Sequence, residues 1–90
     1  MAWSITRVDG AHWVAMDHTE VRARVSLLPG GKAEVTFVRE PALDYSFAVA
    51  SGQGCDELRL ERAIGYVRGV ERAANLFENV AVAILGGRRA

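Results

Sequence analysis

One cysteine, two histidines and a scatter of carboxylates are the residues that could carry covalent, metal or acid–base chemistry. Cys55 follows the glycine-rich turn Ser51-Gly52-Gln53-Gly54 and precedes a helical pattern. Amides at a helix start favour a thiolate, so a nucleophilic or redox-sensing thiol is one reading. A half-buried turn residue is the other, and it is preferred because nothing in the pattern brings His12 or His18 to the thiol. The same turn could hold an anion on helix amides. It lacks the lysine of a P-loop and is not GxGxxG, so no nucleotide and no cofactor is expected. His12, Asp17, His18 and Glu20 do not have the spacing of a zinc site, and no metal is expected. Without a triad, a carboxylate pair or a cofactor fingerprint, the chain reads as a non-enzyme.

Composition supports one domain spanning residues 1–90, half of them hydrophobic. Eleven basic residues balance eleven acidic ones, so no global field steers the chain to nucleic acid or membrane. A single cysteine excludes an internal disulfide framework and fits a reducing cytoplasm. The N-terminus lacks a basic region followed by an apolar run, so no signal peptide is expected. The apolar run 80–85 is too short to span a bilayer.

Five strand-like runs must position whatever these residues do. Residues 3–8 and 11–17 flank Asp9-Gly10, read as a two-residue hairpin turn. That loop sets Ile5 opposite Val14 and Trp3 opposite Met16, with Arg7 and His12 at one end of the inner face. Residues 21–28 alternate Val21, Ala23, Val25 and Leu27 against Arg22, Arg24 and Ser26. A four-residue polar turn 17–20 pairs Met16 with Val21 and Val14 with Ala23. Pro29-Gly30-Gly31 is read as a three-residue loop that places Val25 opposite Val35, with Gly31 left-handed; a slip of one residue would turn every side chain over. Residues 40–44 form the next loop, which Pro41 removes from the ladder. It places Phe37 opposite Phe47 and Val35 opposite Val49.

Residues 56–85 then form the one long helical pattern, with Asp56 as N-cap. Leu60, Ala63, Ile64, Val67, Val70, Ala74, Phe77, Ala81 and Ile84 recur at spacings of three and four, a stripe suited to the sheet. Arg68, Arg72, Asn75 and Asn79 take the other side. A helix of this length projects beyond so small a domain; alternatively it stops near Asn79 and residues 80–84 form a strand. The fold class is α+β: an antiparallel β-meander of four to five strands (1–51), packed on one face by a single long C-terminal α-helix (56–85), with 86–90 a frayed tail.

Two surfaces stand out. The outer sheet face would carry Trp13, Arg22, Arg24 and Val38, residue types enriched at binding hot spots. It is either a partner-binding surface or an ordinary solvated sheet face. The helix carries Leu58, Gly65, Gly69 and Leu76 off its main stripe, and Gly65-x-x-x-Gly69 allows a second backbone to come close. The expected function is a small non-catalytic protein–protein interaction module, an inhibitor or adaptor docking on a larger complex, with a homodimer through the helix as one mode. Size and missing chemistry extend this to the inhibitors that phages and mobile elements direct at host machinery. The alternative is a single-stranded nucleic-acid binder, with Trp13 for stacking and Arg22, Arg24 and Lys32 for phosphates. Strands followed by one helix are similar in topology to the Pur-alpha and Whirly families, although none of their motifs is present. Net neutrality argues against that alternative.

Overall fold

The computed structural model describes residues 2–50 and 52–87, with side chains placed through Leu76. Five strands, β1 (Ser4–Asp9), β2 (His12–Asp17), β3 (Glu20–Leu28), β4 (Lys32–Phe37) and β5 (Tyr45–Ala48), form one antiparallel sheet in chain order. One helix, α1 (Cys55–Gly87), packs across one face. The fold is the α+β meander expected. Residues 80–84 are helical rather than a strand. The helix starts at Cys55, so the expected N-cap Asp56 instead lies in its first turn with Glu57, where acidic side chains favour the helix dipole. The side chains of Phe77, Asn79, Ala81 and Ile84, and the tail 88–90, lie outside the described residues.

The β3–β4 register is the expected one, Val25 opposite Val35 and Ala23 opposite Phe37. It follows from the tight turn Pro29–Gly31, where both glycines have positive φ. Gly31 has a second constraint. A Cβ there would run into the Val49 carbonyl oxygen, and the Gly31 carbonyl itself accepts the Val49 N–H at 2.9 Å.

Met16 pairs with Val21 as expected, but elsewhere the registers depart from expectation, for identifiable reasons. The first hairpin turns one residue later, at Gly10-Ala11, with Asp9 opposite His12. The Asp9 carboxylate accepts the Ala11 N–H at 2.8 Å, so Asp9 caps the turn from outside instead of sitting within it. A bulge at Val8 and a second one at Arg22 each insert an unpaired residue. The result turns β2 over. Ile5 pairs with Ala15 and Arg7 with Trp13, while Thr6 pairs with Val14. Trp13 and Ala15 therefore face the helix, whereas His12, Val14, Met16 and Val21 lie on the open side. The β4–β5 ladder is displaced by four residues, Val35 opposite Tyr45 and Ala33 opposite Phe47, because the connection runs from Val38 to Asp44. An even displacement keeps the same face, so Tyr45 and Phe47 still point inward. Asp44 closes this loop by accepting the Phe37 N–H at 2.7 Å.

The core is small-residue at its centre and aromatic at its rim. Ala15, Ala23, Val25, Ala33, Val35, Ala63 and Val67 are buried, and the alanines let the helix sit close to the sheet. Trp3, Phe37, Phe47 and Tyr66 close the edges. Two charged helix residues are buried as well. Arg59 donates to the Leu28 and Lys32 carbonyls, both at 2.6 Å, and to Asp56 at 2.9 Å, tying the helix start to the β3–β4 turn. Glu71 accepts the Trp3 N–H at 2.6 Å and an Arg68 donor at 2.8 Å. Arg68 also donates to the Trp3 carbonyl at 2.7 Å, so both backbone groups of Trp3 are held by the helix.

A straight helix of 33 residues is about 50 Å long. The molecule extends 58 Å along its longest axis, and its radius of gyration of 15.7 Å exceeds the roughly 12 Å of a compact domain this size. Among the helix residues whose side chains are described, those packed on the core run from Leu60 to Ala74.

Candidate functional site

The sheet surface expected to bind a partner does not form as one patch. Trp13 is half-buried against the core, with the Arg7 guanidinium 5.9 Å from its ring centroid. Arg22 is only 9% exposed and lies on the helix side, because the bulge turns Arg22 and Ala23 the same way. Its guanidinium sits 5.0 Å from the Trp3 ring centroid and 3.6 Å from Asp17. Only Arg24 and Val38 remain exposed as expected. All five sheet-region aromatics, Trp3, Trp13, Phe37, Tyr45 and Phe47, are on the helix side. Among the described residues the open face therefore carries no tryptophan, tyrosine or phenylalanine, and Trp13 and Arg22 do not stand together on it as the nucleic-acid alternative expected.

The chemistry candidates also separate. His12 lies at the exposed end of the first hairpin, its Nδ1 2.8 Å from Asp9. The Ala11 amide, together with His12, holds the Asp9 carboxyl below its ordinary range. Cys55 opens the helix half-buried, its thiol 3.6 Å from the neighbouring Asp56 carboxylate. No group of three metal-ligating side chains occurs among the described residues, and none of their helices is long and apolar enough to cross a membrane.

The helix surface does form. At about 100° per residue, Leu58, Gly65, Gly69 and Leu76 fall within about 20° of one line. That line is opposite Val67, the most buried point of the helix. Leu58 is 55% exposed and Leu76 64%. A Cβ built on Gly65 or Gly69 would meet nothing within 4 Å. Their helix cost of about 1 kcal/mol each thus has no counterpart in packing within the chain.

Beside this line runs an open groove of about 890 Å³, between the helix and the loop that follows β4. Gly65, Gly69 and Ala73 form one wall, Leu43 and Arg39 the other, and Tyr66 lines it between them. Tyr66 is fixed by donating to the Leu43 carbonyl at 2.6 Å and by ring contacts with Phe37 and Tyr45. Arg62 donates to the Tyr45 hydroxyl at 2.9 Å and lies over Phe47, which draws it off the outward line. The groove is concave, mostly apolar and open along its length. Sequence reasoning placed the four outward residues correctly on one line, but it missed the groove, which depends on the displaced β4–β5 loop.

Compared with known proteins, the chain matches no family model, no curated protein and no solved structure.

Proposed function

We propose that this chain is a non-catalytic protein-interaction module, an inhibitor or adaptor that docks on another protein through the outward face of α1. The observation that carries this reading is the uncovered line of Leu58, Gly65, Gly69 and Leu76 beside the Tyr66 groove. Two exposed leucines bracket a stretch where a second backbone can approach closely, and the face has no use inside the chain. The reading accounts for the absence of assembled chemistry among the described residues without invoking an unobserved group. A single cysteine fits work in a reducing cytoplasm.

Capture from a lysate of the native host tests it. Wild type, Leu76→Arg and Arg24→Ala/Val38→Ala are compared as baits, each first verified to be folded. Partner recovery is expected to fall sharply for Leu76→Arg and to stay near wild type for the sheet-face pair. Undiminished recovery by Leu76→Arg would count against the helix face.

A further inference from the structure

We infer that the protein seated on this face is a second copy of the same chain, packed antiparallel along α1. The inference rests on the docking reading above and names its partner. The spacing is the first argument. Leu58 and Gly65 are seven residues apart, Gly65 and Gly69 four, and Gly69 and Leu76 seven. The line reads the same in both directions about residue 67. A two-fold interface requires that property, since residue i must meet j while j meets i. With residue 67 on the axis, Leu58 meets Leu76 of the second copy, and Gly65 meets its Gly69. The glycines then lie where the two helices come closest.

Charge is the second argument. Glu61 and Arg72 flank the line on the same side, at about −60° and −40° by the 100° repeat. A two-fold axis normal to the helix pair brings same-side positions together. Glu61 lies six residues before the axis and Arg72 five after it, so each Glu61 falls level with the Arg72 of the other copy. Neither has an ion-pair partner within its own chain among the described residues. The opposite flank offers no conflict, because Arg62 would stand level with Ala73. In a parallel pair the two-fold axis would run along the helices and bring opposite flanks level, so Glu61 and Arg72 of the two copies would not meet. The Glu61–Arg72 pairs therefore form only in the antiparallel arrangement.

Contact along residues 58–76 covers about 27 Å of helix.

The test uses the full chain in analytical ultracentrifugation, with Glu61→Arg, Arg72→Glu and an equimolar mixture of the two. Each single variant sets two like-charge pairs across the axis and is expected to self-associate roughly tenfold or more weakly than wild type. In the mixed dimer, the arginine introduced at position 61 of one copy meets the glutamate introduced at position 72 of the other. The unaltered Glu61 and Arg72 form the second pair, so association should return to near the wild-type level. Both positions are exposed, so the monomer fold is expected to tolerate either change. Wild type that stays at 9.8 kDa throughout overturns the dimer while leaving the docking reading to the capture experiment. A dimer indifferent to both reversals, or a mixture that fails to recover, overturns the antiparallel arrangement.

Discussion

Trp3→Ala is expected to lower the free energy of unfolding by about 4 kcal/mol, the range for truncating a buried tryptophan. Domains of this class hold only about 5–15 kcal/mol in total, so much of the stability would go. Trp3 is 4% exposed and joins three parts of the molecule. Its ring carries the Arg22 guanidinium, its N–H donates to Glu71 and its carbonyl accepts from Arg68. Chemical denaturation of the variant measures the loss, and a change under about 1 kcal/mol would show that the N-terminal segment is not part of the core.

The same junction sets an acid limb. Burial pushes the Glu71 carboxyl up, but the Arg68 guanidinium and the Trp3 amide outweigh it and hold it below its ordinary 4.5. A carboxyl lowered on folding stabilises fully above its unfolded pKa, and the contribution is lost as pH falls through the lower folded value. Wild type should therefore weaken as pH drops from about 4.5 downward. Glu71→Gln should be less stable at neutral pH and show a flatter decline across that window.

The paired substitution Gly65→Ala/Gly69→Ala is expected to move stability and association in opposite directions. Each alanine removes a mid-helix glycine and finds open space in the monomer, so the helix gains about 2 kcal/mol for the pair. Two methyl groups at the closest approach of two helices force them apart. Self-association should weaken roughly tenfold, equivalent to about 1.4 kcal/mol. Thermal melts at low concentration and sedimentation at high concentration read the two effects separately. A variant that is more stable and equally dimeric would remove the glycines from the interface.

Much of the architecture was legible because its signals were redundant. Pro29-Gly30-Gly31 marks one turn shape, and β3 and β4 alternate cleanly on either side, so their register followed. The helix stripe was legible from Ala63, Val67, Val70 and Ala74. The strand β2 was not, because HWVAMD is apolar on both faces and offers Trp13-Ala15 or Val14-Met16 equally. The two bulges that decide between them add single residues at Val8 and Arg22 without altering composition. Asp9-Gly10 resembled a complete turn, whereas the Asp9 carboxylate caps one beginning a residue later. Buried Arg59 and Glu71 went unrecognised as well. They end a row with Ala63 and Val67 at spacing four, and a charged residue continuing such a row was the available signal. On the candidate site, the helix line depended only on helical geometry and survived. The sheet patch depended on β2 facing outward, and it dissolved when β2 turned over.

The outward face of α1, and not the open sheet, is the face proposed to meet a second copy of the chain. Methyl NMR across a dilution series addresses it directly. Resonances of Leu58 and Leu76 should shift with concentration, while those of Val14 and Val21 on the open face stay fixed. Shifts confined to Val14 and Val21, or none at the two leucines up to millimolar concentration, would contradict the account.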